Sequence, residues 1–547
     1  MTIKYTKEQL NKFDKDLLIE LFLGMQGQME ELSRQTQALN DRMQLMMEQM
    51  VLFQKNRFGR SSEKMADSEQ IRFMEVDGTI VFFNEAEAVC DLDAPEPEDL
   101  ELKAPKKKKQ PGKKAADIAG LTVKRIDHYL KEEELTAEFG ENGWKQLPDA
   151  ISRCYQFIPA SVVIEEHHIG VYSSKLDEHM IKAPHPRNLL HGSLVSPSLA
   201  AAVINGKYVN AVPLYRLEKE FERYGLAITR QNMANWMIRL GEEYLGTMYD
   251  YLHKLLYDYH VIQADETPVL VNKDGRPAGS QSYMWVYRSG FMYRDRQIIL
   301  YEYQKTRNAS HPREFLRDYT GICVTDGYQV YHTLEKEREN LKIAGCWVHC
   351  RRRFNDALEV IPKAHRKESI LHLIMKQIQA IYREEGKLSD FSTEDRLMQR
   401  QLVVKPLVDA FFAYLKQNEP KIPKNGKIRE AFTYALNQES YLKVFLEDGD
   451  VPIDNNASER AIRGFCIGKK NWEMIDTVNG ANSSAIIYGI AETAKANNLK
   501  PFDYFEYLLT EIPKHVDDKN IDFLAELLPW SDMLPENIRK PQKASGK

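Results

Sequence analysis

VPIDNNASERAIRGFCIGKKNWEMIDTVNGANSSAIIYGIAETAKANNL, residues 451–499, reads as a turn followed by helix. Asp454, Asn455 or Asn456 can cap that helix, because a short polar side chain at its start accepts a hydrogen bond from a free amide of the first turn. Glu459 falls near the start, and Arg460 and Arg463 follow within one turn. The helix dipole favours a carboxylate there whatever the protein does, so Glu459 alone carries no function.

Two upstream stretches change its meaning. HVIQADETPVLV (260–271) and GICVTDGYQVY (321–331) each run through β-branched residues into an aspartate, Asp265 in the first and Asp326 in the second. Short apolar runs of this kind read as buried strands. An acid beside such a strand is costly unless something pairs with it, and a divalent cation is one such partner. Asp265, Asp326 and Glu459 can therefore be drawn together as an oxygen-ligand set for Mg²⁺, with Mn²⁺ as a substitute. Two strand-borne acids and one helix-borne acid suit two-metal phosphoryl transfer.

These blocks together resemble the DDE transposases of the insertion sequence 66 family. The phrases that carry the resemblance are ADETPV (264–269), HPREFL (311–316), TDGY (325–328), GCWVHCRRRF (345–354), NNASERAIR (455–463), GKKNW (468–472) and ETAKANNLKPFDY (492–504). They stand in the family's order, and RFGRSSEK (57–64) adds a further family-like phrase. Gly464 occupies a position where the family phrase usually has Pro. The resemblance implies metal-dependent cleavage and strand transfer of an insertion sequence through an Asp265, Asp326 and Glu459 triad. It also implies double-stranded DNA as substrate and companion proteins encoded by the same element.

The bulk properties are compatible with this and do not demand it. A chain of 547 residues should form several domains. Its net charge of −5 does not announce nucleic-acid binding, so that signal must be local. The six cysteines are scattered, which favours reduced, mostly buried thiols. No apolar run is long enough for a membrane span, and the charged N-terminus is no secretory leader; a cytoplasmic location is expected.

Taken in order, the chain is expected to be a multidomain α+β protein. Residues 1–58 form a coiled-coil helix: from Leu18 to Phe53, ten of eleven heptad core positions are apolar, which predicts a homo-oligomer through 18–53. Residues 59–117 read as a disordered linker, acidic and then lysine-rich. Residues 118–183 read as a small β-containing module. The family carries zinc-binding CxxC pairs there, but this chain has only Cys154, so no structural zinc is expected.

Residues 184–250 are helical, with a candidate helix-turn-helix. Its second helix begins at a Thr229 cap and offers Arg230, Gln231 and Asn232 to base edges; an ordinary helical hairpin is the alternative. Residues 251–361 read as the first part of a ribonuclease-H-like core, 362–449 as a helical insertion, 450–504 as the second part of the core, and 505–547 as a tail ending in a frayed polar stretch. Alternation along the strand turns Glu266 away from the Asp265 face and leaves it a supporting place behind the acids. His349, Arg351, Arg352, Arg353, Arg460 and Arg463 can hold phosphates, and Lys469, Lys470 and Trp472 supply charge and an aromatic plane for an unpaired base. Two rivals stand beside the transposase reading: an inactive DNA-binding regulator or scaffold of transposon origin, and a nuclease acting on RNA hybrids.

Overall fold

The structure, a computed structural model, describes residues 187–541 apart from Ala278, with shorter pieces at 73–76, 79–82, 125, 130–140, 160–173 and 180–184. The heptad at 18–53 lies outside the described residues. Within 59–117, expected to be an unstructured linker, Phe73–Val76 and Thr79–Phe82 instead pair as an antiparallel hairpin. Asp77-Gly78 between two β-favouring runs is a two-residue hairpin turn signal, and the charge pattern around it concealed it. In the module that follows, Glu132–Phe139 is a helix, and Val171–Ser173 pairs with Met180–Lys182.

From residue 187 onward the elements run in one series. They begin with α1 (Pro197–Ile204), α2 (Leu214–Arg223), α3 (Arg230–Leu240), α4 (Gly246–Leu256), β1 (Val261–Lys273), β2 (Gln281–Ser289) and β3 (Ile299–Gln304). Next come α5 (Ser310–Phe315), β4 (Gly321–Thr325), α6 (Gln329–Glu337), β5 (Leu341–Gly345), α7 (Trp347–Val360), α8 (Ile370–Gly386), α9 (Thr393–Gln399) and α10 (Lys405–Asn418). The series closes with α11 (Lys427–Asn437), α12 (Glu439–Lys443), α13 (Asn456–Trp472), β6 (Ile475–Thr477), α14 (Val478–Ala496) and α15 (Pro501–Glu511). A mixed helix-and-sheet fold is thus what the sequence pattern anticipates. Among the described residues, no helix is long and apolar enough to cross a membrane.

By its contacts the chain forms two compact units, and the division passes through α13. One contains Leu252–Leu270 and Gly279–Cys466. Its sheet has the order β3-β2-β1-β4-β5, antiparallel across the first three strands and parallel across the last three. The central β1 is an alternating, β-branched run whose first four residues are buried. Gly321 opens β4 at φ +141, and a Cβ there would collide with the His260 carbonyl; only glycine lets the two strands close at this point.

The helices from α7 to α12 do not form a separate core. One continuous apolar cluster takes Val261, Val324 and Ala344 from the sheet and Trp347, Phe354, Phe411, Phe412, Phe432 and Phe445 from the helices. Trp347 sits at the join: its amide donates to Ile453 O at 3.1 Å and its indole nitrogen to Leu442 O at 2.8 Å. Truncating a buried aromatic of this kind typically costs about 3–5 kcal/mol. The buried Arg400 is held by Glu385 at 3.1 Å and by the carbonyls of Phe445 and Asp448 at 2.8 and 2.6 Å, which supplies the partners a buried guanidinium requires.

The other unit contains Phe73–Tyr251, Val271–Ala278 and Ile467–Lys547. Here α14 packs on α3, and Ser483 Oγ donates to Ile238 O at 3.3 Å. A Cβ at Gly241 would stand 2.9 Å from that hydroxyl, so the close approach needs glycine. β6 pairs in parallel with Val271 and Lys273 at the end of β1. The polar stretch near the C-terminus, expected to fray, is docked as far as Lys540. Lys500 N donates to Ile538 O at 2.8 Å and Lys540 N to Asn498 O at 2.9 Å, and Ile538 is buried. The sparse apolar residues Leu534 and Ile538 anchor it.

Glu302, on β3, carries a testable stability signature. Burial pushes its carboxyl from an ordinary 4.5 up to about 7, against hydrogen bonds from Gln304 and Tyr287. The fold therefore keeps a proton that the unfolded chain releases, and stability attributable to this group falls as pH rises from 4.5 to about 7. Glu302→Gln removes that loss. In urea denaturation the variant is expected to gain on the parent by up to about 3 kcal/mol at pH 8 and by nothing near pH 4.5, at about 1.4 kcal/mol per tenfold change.

Candidate active site

The first aspartate is set by β1. Val261 pairs with Ile322 and Gln263 with Val324, an offset of 61 (322 − 261). The same offset applied to Asp265 reaches Asp326 (326 − 265), which follows the last residue of β4. Two acids thus emerge side by side where the parallel pairing ends.

The third acid is delivered by α13, and a buried amide fixes where that helix begins. Asn455 Nδ2 donates to Ala264 O at 2.8 Å, and Asn455 Oδ1 accepts from Gln263 Nε2 at 3.0 Å. The Asn455 backbone amide donates to Cys346 Sγ at 3.2 Å. One turn on, Ala457 O accepts from Arg288 at 3.2 Å and Ala461 O from Tyr301 at 2.7 Å, so the helix lies across β1, β2 and β3. Glu459 is held between the two, 3.5 Å from Arg352 Nη2 and 3.9 Å from His349 Nε2.

The electrostatics of this corner are strained. Burial holds the Asp265 carboxyl well above its ordinary range, and Glu266, Asp326 and Glu459 push it the same way. The Glu266 amide, donating to Asp265 Oδ1 at 2.9 Å, opposes them. Glu266 is pushed up to about 7, first by burial and then by Asp326, with Arg307 opposing. Burial lowers His349, while Asp326 and Glu459 pull it upward. Glu266 Oε2, Glu459 Oε1 and His349 Nδ1 are buried without a hydrogen-bond partner.

Four carboxylates facing few cations, with acceptor oxygens to spare, fit a divalent cation by charge and by donor type. The ligand shell is not closed. Among the described residues, no three His, Cys, Asp or Glu side chains are arranged to enclose an ion as they stand, and Arg307 and Arg352 lie against three of the four acids.

The other residues singled out in the sequence are divided between the units. His349 and Arg352 stand against Glu459. Arg353, on the same helix, lies 4.4 Å over the Tyr434 ring, and Arg460 lies 5.4 Å over Phe291. Arg351 is half-buried on α7, and Arg463 is exposed on α13. Arg230, Gln231 and Asn232 belong to the other unit, exposed on the first turn of α3, with Thr229 Oγ1 accepting from Asn232 N at 3.2 Å. Lys469, Lys470 and Trp472 also belong to that unit, at the far end of α13.

Two side chains at the site, Arg307 and Tyr434, escaped sequence reasoning, and Glu266 stands in the supporting place that the sequence left it. Glu266 does not leave the site: the ladder with β4 ends at Gln263, so Arg307 reaches both Glu266, 2.6 Å from its Nε, and Asp326, 3.8 Å from its Nη2. Arg307 itself, stacked 3.7 Å over Tyr328, lies in a loop with no periodic signal. Tyr434 comes from 108 residues beyond Asp326 and donates to the Asp326 carbonyl at 2.9 Å. A buried acid on β1 demands a cation, which was a signal for some arginine but not for which one.

The comparisons with known proteins bear on this arrangement. The profile described as Transposase IS66 family matches residues 192–483, and the IS66 C-terminal element matches 490–530. The profile described as Transposase C of IS166 homeodomain matches residues 45–126. Two proteins of Sinorhizobium fredii (strain NBRC 101917 / NGR234) are similar, both described as uncharacterized. Protein y4qI is 28% identical over 66% of this chain and 67% of its own length. Protein y4jD is 24% identical over 76% of this chain and 82% of its own.

Breaking the Arg307 pair tests how the acids are tolerated. Arg307→Ala leaves the Glu266 carboxylate buried and unpaired, and urea denaturation at pH 8 is expected to show a loss of about 2–3 kcal/mol. Adding Glu266→Gln should restore most of it. Equal stability of Arg307→Ala and the parent would show that this pair holds nothing in place.

Proposed function

The chain belongs to the IS66 transposase family, and from that premise we propose that it cuts and joins DNA through Asp265, Asp326 and Glu459. The observation that carries the proposal is the convergence of these three acids from β1, the end of β4 and the first turn of α13, with their mutual repulsion incompletely neutralised. The sheet order, three antiparallel strands continued by two parallel ones, supports a ribonuclease-H-like reading of the core.

In this reading Asp265, Asp326 and Glu459 hold Mg²⁺, or Mn²⁺ in its place. When bound, the ions acidify an attacking water or DNA 3′-hydroxyl and stabilise the departing 3′-oxygen. The protein's own part is to orient and to exclude. Arg307 keeps Glu266 and Asp326 from repelling each other out of the site. His349 and Arg352 aim Glu459. Arg351, Arg353, Arg460 and Arg463 offer guanidinium groups to phosphates, and Arg230, Gln231 and Asn232 to base edges. Lys469, Lys470 and Trp472 offer charge and an aromatic plane to an unpaired base. No covalent enzyme–DNA intermediate is required, so no serine or tyrosine nucleophile is invoked. Self-association through 18–53 would let two element ends be handled together, with companion proteins of the same element as further partners and the cytoplasm as the place of action.

Asp265→Asn, Asp326→Asn and Glu459→Gln should each abolish strand cleavage and joining in Mg²⁺, a larger loss than the roughly 10–100-fold expected for a group that only supports a ligand. Duplex binding in a gel-shift assay should persist. Calorimetric titration of Mn²⁺, with and without duplex, should show binding that Asp326→Asn loses. Normal joining by any of the three variants sinks the triad. DNA binding with no metal-dependent cutting by the parent protein favours the inactive regulator.

A further inference from the structure

We propose that Tyr434, on helix α11 between the second and third acids of the chain, is a positioning residue for Asp326. It does so by holding the turn at 325–328 through the Asp326 carbonyl. The proposal rests on the reading of Asp326 as an acid of the reaction.

The turn is pinned at Tyr328 by Arg307, which stacks on the ring at 3.7 Å, and at the Asp326 backbone by Tyr434. β4 ends at Thr325, and α6 begins only at Gln329. Within the turn, Tyr328 N donates to Asp326 Oδ1 at 2.9 Å, which ties the carboxylate to its own loop and not to the core. Two ties leave the turn: the Tyr328 hydroxyl donates to Arg307 O at 2.6 Å, and the Tyr434 hydroxyl donates at 2.9 Å to the carbonyl of Asp326 itself. Gly327 has φ +87, and a Cβ there would stand 2.9 Å from the Tyr434 hydroxyl and 3.1 Å from Gln438 Oε1. The turn is therefore seated against α11 with room for hydrogen alone.

The seat is rigid because α11 is. Ala431, Phe432 and Ala435, on its buried face, belong to the aromatic core shared with the sheet. Arg353 covers the Tyr434 ring at 4.4 Å. Burial raises the phenol further above its ordinary value, so the group is a donor at any working pH. Helix α11 thereby reaches Asp326 through the Tyr434 hydroxyl.

Tyr434→Phe removes that hydroxyl and keeps the ring. Amide exchange at 325–328 is expected to quicken about fivefold to tenfold, the worth of one hydrogen bond. Mn²⁺ affinity and strand cleavage should fall about 10–100-fold, while the melting temperature and duplex affinity stay near the parent's. Gly327→Ala, which forces a Cβ against the same hydroxyl, should give the same pattern by an independent route and covers the case in which Tyr434→Phe folds poorly. Unchanged exchange and unchanged Mn²⁺ affinity in Tyr434→Phe overturn the proposal, as does an effect confined to Gly327→Ala. Faster exchange in Tyr434→Phe, in a parent that shows no Asp326-dependent metal binding, upholds the contact and overturns the role given to Asp326.

Discussion

Asn455 has no exposed surface, and its side-chain amide lies between Gln263 and the Ala264 carbonyl. An amide in that position costs about 1–3 kcal/mol if left unsatisfied, so the chain has one good way to approach β1. That choice sets the first residue of α13, and the helical repeat then leaves Glu459 no freedom along the axis. Arg288 and Tyr301 secure the same helix by its carbonyls, so strands that carry none of the three acids of the proposed triad also help to aim one. Glu459 is therefore placed largely by amides and a phenol, with Arg288 the cation that joins them.

Charge then acts against that placement. Asp265 and Glu266 are buried and carry the repulsion of their neighbours, Asp326 acting on both and Glu459 on Asp265. Arg307 and Arg352 relieve part of this from the rim, where they remain about two-fifths exposed. Such a corner is stable only because the surrounding scaffold is. The shared core of sheet and helices meets that demand, with Trp347 joining the two. A net charge of −5 for the whole chain hides all of this, since the arrangement is local.

Much of this was legible in the chain. β1 and β4 begin within the stretches that β-branching marked as strands, and Thr229 and the Asp454–Asn456 cluster marked the starts of α3 and α13. What was hidden depended on long-range contact. Arg307 sits in a loop, so no period announces it. Glu266 was given its supporting place by alternation, a rule about the strand that says nothing about how far an arginine from a neighbouring loop can reach. Tyr434 looked like one aromatic among many on an amphipathic helix, and only the fold brings its hydroxyl to Asp326. The hairpin at 73–82 was missed for the opposite reason: its turn signal was local, but the charges on either side dominated the reading.

The clasp at Asn455 also has a consequence in time. Gln263 and Asn455 are 192 positions apart, so the pocket of acids closes only after a ribosome has delivered nearly all of the first unit. Pairings of such separation form late, and domains generally fold as units during synthesis. A nascent or truncated chain ending before residue 455 would carry both aspartates and the arginines of α7, yet lack Glu459. On the reading proposed above, such a piece holds two of the three acids and cannot cut, so activity waits on the whole of the first unit.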